Sequence, residues 1–349
     1  MADHTAIEWT DSTFNPWTGC TKVSPGCDHC YAESWSGRAG AKVGKWGPGA
    51  PRVRTTPANW RGPEKWNRTR FVECTACGWR GESSDTLLLS TSCPVCPEAA
   101  PVKPARRRVF CASLADVFDN EVDREWRRDL FRLIAHTKNL DWLLLTKRIG
   151  NAAQMLLETA ASFGFDWAAQ PWEHVWLGAT IVNQEEADRD IPKLLATPAR
   201  VRFLSMEPLL GPVDLGLCDC DHGSVPSPYN VGGVTCPKCN GTGGRMVDWV
   251  IVGGESGHHA RPMHPDWAAN LRNQCFAAGV PFLFKQHGEW LPVGKEPSEA
   301  QRLTFLHARP EARCYSWPDG ETLVLAGKKA AGRLLDGVEH NGFPGVANG

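Results

Sequence analysis

The sequence lacks the features that most readily identify secreted and membrane proteins. Its first ten residues contain neither a basic stretch nor an apolar one, so we expect no secretory signal. No uninterrupted apolar run approaches the length that crosses a bilayer. The net charge is only −1, so overall charge favours neither nucleic acid nor a membrane as a partner. We therefore expect a cytoplasmic protein with no membrane partner.

Cysteine, by contrast, is abundant. The chain has 14 cysteines among 349 residues, and several form C-x-x-C pairs. Disulfide-rich secreted domains are usually short, so such pairs in a long chain indicate metal ligation in a reducing compartment. An apolar content of 42% is typical of globular proteins, and the length permits one large α/β domain or two smaller ones.

Three cysteines, Cys20, Cys27 and Cys30, fall within eleven residues, in a loop that contains Pro25 and Gly26. Three thiolates leave a metal centre one protein ligand short. A [4Fe–4S] cluster prefers thiolates, and its unliganded iron could hold a small molecule. The alternative is a structural zinc site whose fourth ligand is His29 or a distant residue. The spacing slightly favours the cluster.

Two further cysteine sets have the spacing of structural zinc sites. In the first, two C-x-x-C knuckles are separated by fifteen residues, which predicts a zinc-ribbon insertion over 71–101. In the second, a C-x-C and a C-x-x-C predict another zinc-binding insertion over 217–245, with His222 as an alternative ligand. The predicted zinc ligands are Cys74, Cys77, Cys93 and Cys96 in the first set, and Cys218, Cys220, Cys236 and Cys239 in the second.

From residue 108 onward, short apolar runs alternate with helical patterns. This alternation predicts an α/β fold with a parallel sheet, either a full or partial (β/α) TIM-like barrel or, as the alternative, a doubly wound open sheet. A helix is expected to open at His264-Pro265-Asp266 and to end near Gly279. We expect one domain over 1–349, with a C-terminal appendage over 290–349. The predicted strands are 108–113, 142–146, 175–180, 201–205, 249–253 and 280–285, after a possible first strand near 14–18.

Polar residues follow these predicted strands, where (β/α) barrels carry their chemistry. Each of them could instead be a helix cap or a surface residue. Their repeated occurrence at strand ends favours cofactor binding, and Arg261 also follows a strand in this way. The candidate cofactor-binding residues at strand ends are Ser113, Asp116, Lys147, Glu207 and Glu255.

The charge is unevenly distributed. Residues 38–80, here called the basic segment, hold ten lysines and arginines against two glutamates, which gives +8 and leaves −9 for the rest of the chain. Basic residues attract phosphates, and exposed aromatic rings stack on unpaired bases. The alternative is a solvated loop whose tryptophans pack onto the protein. The candidate nucleic-acid-binding residues are Arg52, Arg54, Arg61, Arg68, Trp60 and Trp66.

Several motifs together resemble the phage-associated three-Cys-motif family over nearly the whole chain outside the two insertions. They include Asn15-Pro-Trp-Thr-Gly-Cys20, Cys30-Tyr-Ala-Glu33, Leu145-Thr-Lys-Arg148, Glu207-Pro-Leu-Leu-Gly-Pro212 and Val250-Ile-Val-Gly-Gly-Glu-Ser-Gly257. More distantly, the chain resembles the radical S-adenosylmethionine (SAM) enzymes, among them spore photoproduct lyase.

The distant resemblance implies a barrel of radical SAM type in which Cys20, Cys27 and Cys30 hold a [4Fe–4S] cluster that chelates SAM. His29 would occupy the aromatic position that contacts the adenine. The first cysteine gap here is six residues, where those enzymes usually have three. Gly253-Gly254-Glu255 comes several strands later than their Gly-Gly-Glu motif and is not equated with it.

These observations predict a radical-SAM-like iron–sulfur enzyme that modifies or repairs nucleic acid, with two zinc ions in its insertions. One alternative is a non-catalytic nucleic-acid-binding protein in which every cysteine group binds structural metal. Another is a radical SAM enzyme acting on a protein or a small molecule, with the basic segment contacting a partner protein. The open coordination position at the three-cysteine loop discriminates the enzyme from the binding protein.

Overall fold

A computed structural model describes residues 2–39, 43–83, 92–97, 100–217, 224–226, 233–235, 247–294 and 313–345. The strands are β1 (Ser12–Phe14), β2 (Trp17–Thr18), β3 (Val53–Arg54), β4 (Phe71–Cys74), β5 (Arg80–Glu82), β6 (Val102–Pro104), β7 (Arg107–Cys111), β8 (Leu140–Thr146), β9 (Val175–Thr180), β10 (Val201–Met206), β11 (Ser224–Pro226), β12 (Gly233–Thr235), β13 (Trp249–Gly253), β14 (Phe282–Gln286), β15 (Trp290–Gly294), β16 (Cys314–Ser316) and β17 (Thr322–Leu325). The helices are α1 (Tyr31–Ala39), α2 (Pro57–Arg68), α3 (Arg124–His136), α4 (Ile149–Ala161), α5 (Gln184–Ala196), α6 (Pro265–Ala277) and α7 (Lys328–Ala331), with a 3-10 turn at Pro25–Cys27.

A seven-stranded sheet has the strand order β1-β7-β8-β9-β10-β13-β14, and the pairs β1/β7, β7/β8, β10/β13 and β13/β14 are parallel. Strands β7, β9 and β13 are buried at every residue, as expected for parallel strands covered on both faces. The predicted α/β fold with a parallel sheet is therefore confirmed. A TIM-like barrel of radical SAM type stays a prediction.

The helices follow their sequence signals. Helix α3 begins after Asp123, whose carboxylate accepts a hydrogen bond from the Glu125 N–H, and it buries an apolar stripe that includes Leu130 and Ile134. Helix α6 begins at Pro265 as predicted and ends at Ala277, with Gly279 in the left-handed conformation just beyond it. No described helix is both long enough and apolar enough to span a bilayer.

The chain divides into two compact units. Unit 1 comprises Met1–Lys22, Ala32–Leu177 and Pro198–Arg200, and unit 2 comprises Val23–Tyr31, Gly178–Thr197 and Val201–Gly349. The three-cysteine loop is split by this division, since Cys20 belongs to unit 1 and Cys27 and Cys30 belong to unit 2. Each unit is described separately below.

In unit 1, a three-stranded sheet in the order β5-β4-β6 carries the first cysteine insertion. Two arginines anchor it. Arg80 donates to Glu73 at 2.6 Å and also to the Asp11 carboxylate. Arg107 is buried, pairs with Glu82, and lies with its guanidinium over the rings of Trp66 and Phe71. The short insertion is thus tied to its unit by charge and stacking.

In unit 2, strands β15, β17 and β16 form an antiparallel sheet over an apolar cluster that includes Ala260, Trp290 and Leu323. The second cysteine insertion is described only at the paired strands β11 and β12. Cys218, Cys220, Cys236 and Cys239, and His222 with them, lie outside the described residues. The predicted second zinc site and the predicted domain bounds stay predictions.

Candidate functional site

The four cysteines of the first insertion, here called the four-cysteine group, converge in unit 1 as predicted. The sulfur atoms of Cys74, Cys77, Cys93 and Cys96 all lie within 4.8 Å of one another and could hold a metal ion. Cys74 Sγ is 3.7 Å from Cys96 Sγ, and Cys77 Sγ is 3.7 Å from Cys93 Sγ. Sulfurs bound about 2.3 Å from a tetrahedral ion would be separated by about 3.8 Å, so the observed spacing suits such an ion.

The backbone at both knuckles also suits thiolates. The N–H groups of Ala76 and Cys77 point at Cys74 Sγ at 3.4 and 3.5 Å, and the Val95 N–H points at Cys93 Sγ at 3.4 Å. Gly78 has a positive φ of 71°, which lets the chain turn directly after Cys77. The N–H donors of Cys77 and Ala76 lower the pKa of Cys74 to about 6. Of the four thiols, Cys74 is therefore the one whose ionised form these N–H groups favour, whereas the pKa of Cys96 is raised to about 12 by its hydrogen bonds to the neighbouring cysteines and by burial.

At the strand ends of unit 1, Asp116 is a fully engaged buried carboxylate. Its oxygens accept from Thr146 Oγ1 at 2.8 and 2.9 Å, from the Phe118 N–H at 2.9 Å and from the Lys147 N–H at 3.1 Å. Burial raises the pKa of Asp116, and these hydrogen bonds, which come from neutral donors, do not offset the effect of burial. The carboxylate therefore holds together the loops that follow β7 and β8. Ser113 lies in the first of these loops, where its hydroxyl accepts from Asn15 Nδ2.

Cys20 lies beside the same loops. Gly19, the residue before it, forms a parallel bridge with Ala115, and Arg148 Nη2 donates to Cys20 Sγ at 3.9 Å and to the Thr21 carbonyl at 2.7 Å. Burial raises the pKa of the Cys20 thiol to about 11, so without a metal this thiol is protonated at neutral pH.

In unit 2, Glu255 follows β13 and is the centre of a second network. It is only 6% exposed, and its carboxylate accepts from the Arg261 N–H at 2.7 Å, from Nε at 2.9 Å and from Nη2 at 2.6 Å. His29 Nδ1 lies 3.0 Å from the same carboxylate. Burial disfavours its ionised form, but the hydrogen bonds from Arg261 and His29 outweigh burial and lower the pKa of Glu255.

The Arg261 guanidinium also contacts the residues Pro25–Cys30, here called the cysteine segment. Nη1 donates to Asp28 Oδ2 at 3.0 Å, and Nη2 donates to the Pro25 carbonyl at 2.9 Å. Within this segment Cys27 is buried, while His29 and Cys30 are half-buried. One arginine thus joins the cysteine segment to the carboxyl end of β13, where Glu255 stands.

A third polar cluster of unit 2 surrounds Glu207, which follows β10. Lys285 Nζ donates to both Glu207 oxygens at 2.8 Å, and Gln286 Nε2 donates to Glu207 Oε1 at 2.9 Å and to Ser256 Oγ at 2.6 Å. Gln286 is 2% exposed, and its Oε1 has no partner among the described residues. The ends of β10, β13 and β14 are thus joined by polar side chains.

Two glycines permit this arrangement. A Cβ on Gly254 would lie 2.1 Å from the His287 carbonyl oxygen, and one on Gly288 would lie 2.2 Å from the Glu255 carbonyl oxygen. The chains that follow β13 and β14 therefore pack backbone against backbone, which only glycine allows at these two positions. This close approach fixes the backbone position of Glu255, two residues after the end of β13.

A second group of ligand-type side chains, His264, Asp266 and Asp319, also converges in unit 2. Here His264 caps α6: its Nδ1 accepts from the Asp266 backbone N–H at 3.1 Å, so the proton of the neutral ring is on Nε2, which faces Asp319 at 3.3 Å. Neither ring nitrogen has a free lone pair for a metal. We interpret this group as a helix cap.

The basic segment divides into internal and exposed cations. Arg52 is 8% exposed, donates to Asp119 Oδ2 at 2.8 Å and to Thr21 Oγ1 at 2.7 Å, and so supports the chain beside Cys20. Arg54 pairs with Asp129 and lies 4.3 Å above the Trp60 ring.

The remaining candidate side chains of the basic segment also divide into buried and exposed ones. Trp66 is 2% exposed and donates to Asp3. Arg61 and Arg68, both on α2, are exposed. Among the predicted nucleic-acid-binding side chains, these two are open to solvent.

The sequence placed most of the strand-end residues correctly but assigned no role to three that the structure brings forward. Arg148 and Asp119 surround Cys20 and Arg52 in unit 1, and Arg261 connects Glu255 with the cysteine segment in unit 2. Their partners lie far away in sequence, 233 residues for Arg261 and Asp28. Only the position of Arg148 and Arg261 after predicted strands was a signal of their importance.

Comparison with known proteins identifies the family. No curated protein and no solved structure matches the chain. A family model does match, over residues 4–344, and its description is "Protein of unknown function (DUF5131)". The match covers nearly the whole chain, both cysteine insertions included. The protein therefore belongs to the DUF5131 family.

Proposed function

We propose that this protein is a radical-SAM-like iron–sulfur enzyme that modifies or repairs nucleic acid, in the phage-associated setting that the sequence resemblance implies. One observation carries the proposal: in each unit, the cysteine-bearing chain is held at the carboxyl ends of parallel strands. Cys20 lies beside the loops after β7 and β8, and the cysteine segment is joined to Glu255 after β13. Ligands of α/β proteins bind at this edge.

The donor set fits the cluster. Cys20, Cys27 and Cys30 are free thiols within eleven consecutive residues, and thiolates are the ligands that iron–sulfur clusters prefer. The Arg148 cation beside Cys20 Sγ offsets part of the burial that raises the pKa of this thiol, which helps it to ionise when a metal binds. When bound, the cluster and SAM would supply one-electron radical chemistry. The protein's own residues would orient the ligands: Arg148 at Cys20, and Glu255 at His29.

For the four-cysteine group we propose zinc. Two knuckles with N–H···S hydrogen bonds and sulfur spacings of 3.7 Å suit a closed tetrahedral site, which is how structural zinc is bound. A closed site has no position for a substrate, so its role would be to fold the insertion. A second zinc ion in the second insertion rests on cysteine spacing alone.

The nucleic-acid part of the proposal rests on α2. Arg61, Lys65 and Arg68 are exposed and spaced four and three residues apart, so they share one face of the helix. Asn67 near the end of α2 is hydrogen-bonded to Asn139, so the exposed Lys138 lies close to the C-terminal end of the same helix. A row of exposed cations is what a phosphate backbone requires. The internal Arg52 and Trp66 have no place in this interface.

A test of the catalytic proposal is anaerobic purification, with iron, sulfide and zinc counted and SAM cleavage measured after reduction. We expect iron and sulfide, a brown colour that dithionite bleaches, and reductive SAM cleavage that Cys27→Ser abolishes. Zinc as the sole metal after careful anaerobic work would contradict the proposal. It would favour the non-catalytic binding protein, for which the four-cysteine group is the supporting observation.

A test of the nucleic-acid proposal is a binding titration on single- and double-stranded DNA and RNA at two salt concentrations. Replacing Arg61, Lys65 and Arg68 with alanine should weaken binding and reduce the log–log salt slope by about 0.7 to 0.9 for each phosphate that the variant no longer neutralises. The matched control replaces Arg124 and Arg132 on α3, which are also exposed cations of unit 1. Equal effects of the two variants per removed charge, or no effect of either, would favour a protein or small-molecule substrate.

A further inference from the structure

We propose that Arg261 is a positioning residue that fixes the cysteine segment in the geometry needed for ligation. The inference rests on the proposed function, because it gives the ligating role to Cys27 and Cys30. It concerns unit 2 alone, and it assigns the task of fixing the cysteine segment to one arginine.

Arg261 donates hydrogen bonds to the Glu255 carboxylate and also to the cysteine segment. Towards the strand end, its backbone N–H, Nε and Nη2 donate to the Glu255 carboxylate at 2.7, 2.9 and 2.6 Å. Towards the cysteine segment, Nη1 donates to Asp28 and Nη2 to the Pro25 carbonyl. Because the guanidinium is planar and its donors are fixed, these hydrogen bonds determine distance and orientation together.

The cysteine segment has little regular structure and few buried side chains. It contains a single 3-10 turn of three residues, capped by the Ser24 hydroxyl, and turns this short are not stable alone. Cys27 is its only buried side chain, and Val23 before it is 44% exposed. Apolar burial therefore contributes little to fixing the segment, and the hydrogen bonds of Arg261 and Glu255 link it to the end of β13.

The two hydrogen bonds from Arg261 to the segment bracket Cys27. Pro25 lies two residues before this cysteine and Asp28 directly after it, so fixing both limits the backbone of Cys27 from either side. His29, the residue before Cys30, is held by the same Glu255 carboxylate. Arg261 and Glu255 together thus constrain the stretch that carries both thiols of unit 2, although neither touches a sulfur atom.

The test compares Arg261→Gln and Arg261→Lys with wild type in the metal-free protein. The alkylation rate of each cysteine is followed by mass spectrometry under native conditions. Removing charge-assisted hydrogen bonds should raise the rates at Cys27 and Cys30 roughly tenfold or more in Arg261→Gln. Arg261→Lys keeps the positive charge but lacks the planar guanidinium with its fixed donors, so it should give an intermediate rate. Cys275, fully buried in α6, is the internal reference for unfolding of unit 2.

The matched control is Arg272→Gln, which removes an arginine of α6 that pairs with Asp336 at the surface of the same unit. It should leave the Cys27 and Cys30 rates unchanged. After anaerobic reconstitution, Arg261→Gln should also retain less iron and show a broadened reduced-cluster resonance relative to the control.

Two outcomes would overturn the inference: unchanged Cys27 and Cys30 rates in Arg261→Gln, or an equal rise at Cys275, which would mean that Arg261 only stabilises the unit. A wild-type protein that takes up no iron would instead contradict the proposed function. In that case the alkylation rates would still report whether Arg261 holds the segment.

Discussion

Two cysteine-bearing regions of this protein differ in the hydrogen bonds that surround their thiols. In the four-cysteine group, backbone N–H groups point at sulfur and four thiols converge, so the thiols themselves organise the chain. In the cysteine segment, carboxylate, carbonyl and guanidinium groups form the hydrogen bonds, and the thiols are not needed for them. Cysteine spacing alone does not separate these cases.

The difference suggests how the two regions divide their tasks. A metal ion that folds a short insertion must be closed off by its ligands, and all of its coordination positions are used. A loop that is already fixed by ion pairs can hold a metal with a position left open for chemistry. Four predictions test this contrast.

The largest effect should come from the four-cysteine group. Cys93→Ser removes one ligand, and structural zinc contributes on the order of 10 kcal/mol to the folding of small domains. We expect loss of zinc and rapid proteolysis within the insertion, while the parallel sheet still unfolds cooperatively. Limited proteolysis with zinc analysis measures both. The control, Cys314→Ser, changes an exposed cysteine outside the group and should do neither.

The next effect concerns the ion pair that holds the cysteine segment. In a double-mutant cycle, Glu255→Gln and Arg261→Gln should show a coupling free energy of about 1 to 3 kcal/mol, because the groups are hydrogen-bonded directly and Glu255 is buried. Denaturant unfolding of the four proteins measures it. Additive losses of stability would mean that the pair contributes no specific stabilisation.

A pH series sharpens the same point. Since the pKa of Glu255 is lowered in the folded protein, its contribution to stability is present above the unfolded value near 4.5 and is lost as pH falls through the folded value. The unfolding free energy of wild type relative to Glu255→Gln should therefore decrease below about pH 4.5, by at most about 1.4 kcal/mol per pH unit. Unfolding free energies between pH 3 and 7 measure this. A constant difference over that range would be inconsistent with a lowered pKa.

The smallest effect should come from Cys30, one of the two thiols of the cysteine segment. Cys30→Ser is nearly isosteric and changes a half-buried side chain, so in metal-free protein we expect a change in unfolding free energy within about 0.5 kcal/mol. Thermal unfolding of metal-free protein measures it. A destabilisation comparable to that of Cys93→Ser would show that the segment depends on its thiols, and the contrast between the two regions would fail.

Much of the fold could be predicted from the sequence because its signals are local. The apolar runs at Val175–Thr180 and Trp249–Gly253 match the observed strands, and the Pro265 signal marks the start of α6. Strand β8 begins at Leu140, two residues before the predicted run, because the buried Leu140 extends the apolar stretch past the polar Asp141.

The site was less predictable because its interactions are long-range. A run of cations does not reveal that Arg52 pairs with Asp119, 67 residues away, while Arg61 stays exposed. Nor does a strand-end position show which way a carboxyl pKa moves. Burial among mainly neutral donors raises the pKa of Asp116, whereas Arg261 and His29 lower that of Glu255 despite its burial.

The most direct test of the central claim is a paired metal count on anaerobically prepared wild type, Cys27→Ser and Cys93→Ser. The account predicts about four iron atoms per wild-type chain, absent from Cys27→Ser while zinc is retained, and the loss of about one zinc in Cys93→Ser while iron is retained. Iron that survives Cys27→Ser, or a wild-type protein that binds zinc alone, would contradict it.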